Sequence, residues 1–263
     1  MRKTIAASLL RRTAGATLLA LLTLACAAPL AAQIQDNSFL VEEAYNQDPG
    51  VVQHIIVVQH PTRGGDWVST FTQEWPAPNL KHQLSYTVSQ LRLGDRTGFG
   101  DVALNYRYQW IGDAEAKVAV SPRLTLLLPT GDANSGLGAG NAGVQVMLPV
   151  STVLSPRLVA HWNAGATFTP ARDTRAWTAA QSFVVLIHPR FNALVETVWT
   201  RNDLRGGARD TTLVVSPGIR WSYDRPSGLQ IVPGIAMPVS LRGENSRSVL
   251  AYLSFEHPFR RTR

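Results

Sequence analysis

The chain has 263 residues, with 25 basic and 18 acidic side chains, one cysteine and a mean hydropathy of −0.02. Only 16 % of its residues are charged, where a soluble domain carries about a quarter, and this speaks against an ordinary cytosolic enzyme. Past residue 32 no apolar run approaches the ~20 residues that a membrane helix needs, which excludes a polytopic helical membrane protein.

The first 32 residues read as an export signal. Arg2, Lys3, Arg11 and Arg12 form a basic start, residues 14–28 are rich in Ala and Leu, and small residues at Ala28, Ala31 and Ala32 suit a cleavage after Ala32. An uncleaved anchor, or lipid attachment at Cys26, competes with that reading. Removing the signal leaves 21 basic and 18 acidic side chains, a net charge of +3 instead of +7. The high isoelectric point therefore belongs mostly to the signal and gives no reason to expect a nucleic-acid partner. The only cysteine leaves with it, so neither a disulfide nor thiol chemistry is expected. The expected organisation is a signal over 1–32, a pre-barrel segment over 33–49 and a barrel over 50–263.

Residues 34–48 are neither strand-like nor a plain linker. Ser38 is placed to cap a short helix carrying Leu40, Val41, Ala44 and Tyr45 on one side. Four roles stay open: a plug in the barrel, a helix on the periplasmic surface, a partner-binding element, or an ordered lead-in to the first strand.

From residue 51 onward the period is two almost to the end. Val102, Leu104, Tyr106 and Tyr108 alternate with Ala103, Asn105, Arg107 and Gln109, which gives a strand one apolar and one polar face. Twelve such segments fall near 51–60, 66–75, 80–91, 99–110, 116–128, 140–152, 157–169, 176–188, 191–201, 211–223, 228–240 and 247–259. Each is long enough for a tilted membrane strand of ~9–11 residues. The connections alternate between short and long, as in an outer-membrane barrel with periplasmic turns and longer outer loops.

Inside the terminal residues of the segments, the charged residues, Glu74, Lys81, Asp101, Arg107, Lys117, Arg123, Glu196, Arg220 and Glu256, all fall on the polar face. Trp67, Trp75, Trp110, Trp177, Trp199 and Trp221 lie near segment ends, as aromatic girdles do, and only Trp162 is near a middle. A secreted β-sandwich shares the alternation. It would need neither strands this long nor Trp at their ends. The expected fold is thus an all-β transmembrane antiparallel barrel of about twelve strands, with the apolar face toward lipid and the polar face lining the lumen.

Asp101, Arg107, Lys117, Arg123, Glu196, Arg220 and Glu256 are then the candidate lumen-lining residues. They either pair with one another and fill the barrel or form a constriction that screens solutes by charge. The longest loop, 129–140, opens with Pro129, Thr130, Gly131 and Asp132 and is rich in glycine. It lacks the Gly-Lys-Ser/Thr of a phosphate loop and the third carboxylate of a calcium site. It reads as a surface hairpin loop, or as one folded back into the lumen. Ser151, His161 and Asn163 share the inner face and are the candidates for a nucleophile, base and orienter. A lipid substrate would approach from outside, so no catalytic residue is assigned. The histidines show no metal-ligand spacing, and no metal or cofactor is expected.

Two stretches carry a family resemblance. One runs from Asp36 through Glu42, Glu43, Ala44 and Tyr45 to Gln47, then Pro49, Gly50 and Val51. The other is Gly98-Phe99-Gly100-Asp101-Val102, followed by Leu128-Pro129-Thr130-Gly131-Asp132. The chain resembles the outer-membrane transporter family labelled "MetA-pathway of phenol degradation" over most of its length after the signal. That resemblance implies a small barrel in the outer membrane of a Gram-negative bacterium that passes aromatic or other hydrophobic solutes passively. A non-transporting structural or adhesive barrel is the alternative, and a lipid hydrolase a remote one. The partners that follow are outer-membrane lipid, the barrel-assembly machinery and a small solute.

Overall fold

The computed structural model describes residues 38–113, 116–244 and 246–259. The signal and Cys26 lie outside them. The strands are β1 Val51–Pro61, β2 Trp67–Pro76, β3 His82–Leu93, β4 Arg96–Phe99, β5 Val102–Tyr108, β6 Val118–Val120, β7 Arg123–Leu128, β8 Gly143–Ser155, β9 Leu158–Thr169, β10 Thr174–His188, β11 Phe191–Asp203, β12 Arg209–Trp221, β13 Tyr223–Asp224, β14 Gln230–Ala236, β15 Val239–Arg242 and β16 Ser248–Pro258.

These sixteen pieces make twelve staves. β4 and β5 both pair with β3. β6 and β7 both pair with β8, β12 and β13 both with β14, and β14 and β15 both with β12. The interruptions have local causes. Pro122 follows β6 and Pro238 precedes β15, and neither can donate to a ladder. Every pairing is antiparallel, and β1 closes the sheet onto β16 from Val51↔Pro258 to Pro61↔Ser248. The ring of staves is thereby closed, the condition for crossing hydrocarbon with strands, and among the described residues only the short pieces β4, β6, β13 and β15 pair with a single strand.

Facing is inverted relative to a water-soluble protein. Leu104, Leu124, Leu126, Val146, Leu148, Val195, Ile219 and Ile235 are 38–50 % exposed, while Gln53, Gln83, Asn105, Arg107, His161, Asn163, Glu196 and Arg220 are buried. The register carries the polar set around the inside. Gln53 lies opposite Glu74 and Glu256, Gln83 opposite Arg107, Ser151 opposite His161, Ser182 opposite Glu196, and Asn192 opposite Arg220. A sandwich would bury the leucines and wet the glutamines, so the burial pattern decides for the barrel.

Some boundaries differ from the sequence reading. The connection between the segments near 80–91 and 99–110 is a tight hairpin, because Gly94 takes a positive φ of 60° and β4 resumes at Arg96. β11 runs on to Asp203, and its last residues carry Arg201 and Asp203 on the outer face. There Arg201 Nη2 lies 3.2 Å from an Asp203 carboxylate oxygen, which also accepts the Trp177 indole N–H at 3.1 Å. Charge on an outer face is tolerated at a strand end, where the wall leaves hydrocarbon.

Candidate functional site: the lumen and its resident segment

Residues 38–48 form no helix. They cross the lumen as an irregular extended chain, and wall side chains bind the backbone of this segment directly. Glu196 Oε1 accepts the N–H groups of Leu40 at 2.7 Å and Val41 at 2.9 Å. Asn163 clamps Glu42 twice, accepting its N–H at 2.8 Å and donating to its carbonyl at 3.0 Å. Arg107 donates to the Glu43 carbonyl at 2.7 Å. Ser121 and Gln109 donate to the Ala44 carbonyl at 2.9 and 2.8 Å, while Ser151 Oγ accepts the Ala44 N–H at 2.7 Å. Gln109 and Gln83 accept the N–H groups of Asn46 and Gln47 at 3.0 and 2.7 Å.

A segment bonded only to itself would need helical hydrogen bonds. Here the wall supplies the partners, which is why the helix expected from Ser38 does not form. Side chains add to the seal: Glu42 pairs with Arg123, Gln47 donates to Gln53, and the Ser38 and Ser182 hydroxyls are 2.8 Å apart. The segment lies toward the short-turn rim, the end from which it enters β1.

One apolar anchor holds its far end. Phe39 is 7 % exposed and packs among Ile55, Val184, Val232, Leu250 and Tyr252 on the inner wall. Its ring centroid is 5.0 Å from that of Tyr252. The ring fits because Gly218 and Gly234 face it. A Cβ on Gly234 would come within 2.5 Å of a Phe39 ring atom, and one on Gly218 within 2.6 Å. Gly234→Val should therefore displace the ring and cost about 1–3 kcal/mol, the usual range for overpacking. In a Ser38→Cys background the segment end would then react with a bulky maleimide that the parent excludes. Adding Phe39→Ala should restore protection.

Tyr45 marks the other end. Its hydroxyl donates to the Ala116 carbonyl at 3.1 Å. Burial, and next the charge of Glu43, push its ionisation up to about 12. The folded value lies above the ordinary one near 10, so the protonated hydroxyl favours the folded form fully below about pH 10. That contribution is lost as pH rises toward 12. An absorbance titration should show a late-ionising component that Tyr45→Phe removes.

The candidate lumen residues fall into three places. Arg107, Arg123, Glu196 and Arg220 sit in the wall around the segment. Arg107 lies 3.3 Å from Glu74 with both side chains nearly sealed, and Arg220 is the cation near Glu196. Glu256 stands opposite Gln53 and Gln230 on the same inner face. Lys117 is exposed, one residue ahead of β6 at the short-turn rim. Asp101 works at the opposite rim, where its carboxylate accepts the N–H groups of Gly131 at 2.9 Å and Ala139 at 2.7 Å. It thereby ties the 129–140 loop down. Thr130 Oγ1 accepts the Val102 N–H at 2.9 Å, and buried Leu137 packs on Gly98 and Gly100. The two parts of the second resemblance stretch, 98–102 and 128–132 with the loop that follows, thus dock on each other. Asp132 turns the loop by accepting the Asn134 N–H at 3.0 Å, and its bonds to Ser135 lower its carboxyl below the usual range.

The Ser151–His161 pair does meet, with Oγ 2.7 Å from Nδ1. Ser151 is at the same time holding Ala44, and Asn163 is bound to Glu42 through both amide atoms. As placed, Ser151 and Asn163 hold the backbone of the segment, and His161 bonds Ser151 from behind. No cluster of three metal-ligating side chains occurs among the described residues.

Among solved structures, the fold is similar to the COG4313 outer membrane channel from Pseudomonas putida F1, at 15 % identity and a TM-score of 0.58, covering 81 % of this chain and 97 % of that one. It is also similar to the NanC porin, at 9 % identity and a TM-score of 0.57 over 77 % and 98 % of the two chains. The KdgM porin matches at 9 % identity and a TM-score of 0.54 over 79 % and 99 %. No curated protein matches the sequence. The family model described as "Putative MetA-pathway of phenol degradation" matches residues 45–235, most of the segment-and-barrel unit, and the chain belongs to that family.

Proposed function

We propose that the protein is an outer-membrane channel of a Gram-negative bacterium that passes small aromatic or hydrophobic solutes passively, and that residues 38–48 hold it closed at rest. The observation that carries this reading is the way the segment is held. Its bonds are mostly single hydrogen bonds between its backbone and wall side chains, each worth about 1 kcal/mol net, and water can replace them. A segment built as permanent core would be sealed by apolar packing along its length. Here apolar clusters hold the two ends, Phe39 in the inner wall and Ala44 with Tyr45 against Ala119, and the stretch between is held by polar bonds. The fold shared with channels and porins supports the reading, and the family description points to aromatic compounds.

The test is solute entry into proteoliposomes. Refolded protein lacking residues 38–48 should admit benzoate or phenol faster than the intact chain or empty vesicles do, and should exclude a trisaccharide. Equal rates with and without the shortened protein would favour the alternative, a structural or adhesive barrel. That alternative has its own support in the buried apolar cluster around Phe39. A lipid hydrolase would release fatty acid from phospholipid vesicles and lose that activity in Ser151→Ala, and we expect no release from the native chain.

A further inference from the structure

Trp162 lies four residues inside β9, on the outer face, and the lumen does not use it. Register runs Val150, Trp162, Gln181 and Thr197 side by side across β8, β9, β10 and β11. All four lie on the outer face, since their neighbours along each strand, Ser151, His161, Ser182 and Glu196, line the lumen. Gln181 is seven residues from either end of β10 and Thr197 six from either end of β11. They stand at the middle of the apolar wall, below the girdle position of Trp177.

A polar side chain there is costly, because hydrocarbon offers no hydrogen-bond partner. An outward glutamine elsewhere in the wall, Gln73, is answered by the Tyr86 hydroxyl at 2.9 Å. Among the described residues the Gln181 side chain has no such partner. Beside it the wall is hollowed. Ala164 and Ala179 are small where neighbouring positions carry Leu148 and Trp199, and together with Trp162, Val150, Gln181 and Thr197 they line a notch of about 400 Å³.

The geometry points to a second, lipid-facing binding site in this notch, for a small molecule with a flat apolar body and one hydrogen-bonding group, such as an aromatic alcohol dissolved in the bilayer. The indole of Trp162 offers a ring face to the body, and the Gln181 amide with the Thr197 hydroxyl takes the polar group. A lipid acyl chain fits the hollow but brings no polar atom to that depth. A headgroup cannot reach it. The inference goes beyond the channel reading and does not depend on it, since the notch opens to the membrane and not to the lumen.

The test is fluorescence quenching of the refolded chain in vesicles, with 4-bromobenzyl alcohol against 4-bromotoluene at matched membrane concentrations. The alcohol should quench a saturable fraction of tryptophan emission that is absent in Trp162→Phe, while bromotoluene should quench without saturating. Gln181→Leu should weaken the saturable phase at least tenfold. Thr197→Val, which keeps the side-chain shape, should weaken it less, and Ala179→Leu should abolish it. A gel shift on heating checks that each variant is folded. Equal quenching by both probes, or an unchanged phase in Gln181→Leu, would overturn the site. So would a cross-linked wild-type dimer that Gln181→Leu renders monomeric, because the notch would then be occupied by a second copy.

Discussion

Deleting residues 38–48 should raise the single-channel conductance of the refolded barrel at least about fivefold, because conduction follows the narrowest hydrated cross-section. The segment touches side chains on staves from β1 round to β11 and anchors Phe39 against β12, β14 and β16, so it spans the lumen and does not merely line it. Its removal frees Glu196, Asn163, Ser151, Arg107 and Gln83 from their backbone partners. Each can take water instead, and the barrel ladder itself loses no bond. The variant should therefore keep its shift on heated gels. Conductance unchanged in a folded deletion variant would show that the segment is not what closes the lumen.

Arg107→Ala should produce the largest loss of stability by a single substitution, about 3–5 kcal/mol, the cost of stranding the partner of a buried ion pair. Arg107 bonds the Glu43 carbonyl and faces Glu74 at 3.3 Å, with only 5 % and 9 % of the two side chains accessible. Arg123 sits directly opposite Arg107 in the register, and the two like charges are tolerated because each has its own carboxylate. Guanidinium unfolding in lipid vesicles measures the loss. Pairing Arg107→Met with Glu74→Leu should recover most of it, since no isolated charge then remains. A double variant as unstable as the single one would locate the cost in the lost contact with Glu43.

Most of the barrel was legible because membrane strands write their two faces into alternate residues. Val144, Val146, Leu148 and Val150 against Gln145 and Ser151 suffice to orient β8. The facing of Glu196 and Arg220 followed from the same rule. What Glu196 does could not be read, since its partners are the amides of Leu40 and Val41, some 155 residues away, and a backbone N–H carries no residue identity. The apolar side of the segment, with Leu40, Val41, Ala44 and Tyr45, looked like a helix for the same reason. Nothing local says that the wall will supply the hydrogen bonds. The slot for Phe39 was equally hidden: Gly218 and Gly234 look like ordinary strand glycines until the closed barrel brings them together. Trp162 was visible as an exception, and its meaning depended on Gln181 and Thr197 in neighbouring staves.

The seam between β1 and β16 joins residues about 200 apart in sequence, and the lumen segment ends only two residues before β1. Contacts so distant in sequence form late. The stave that must find its partner last is thus also the one that carries the stopper. Closure and filling of the barrel become one event in assembly. Until that event the polar lining has no backbone to grip, and β1 and β16 are two open edges. A variant that seats the segment poorly should therefore betray itself first as slow insertion into vesicles, before any defect in the finished barrel is measured.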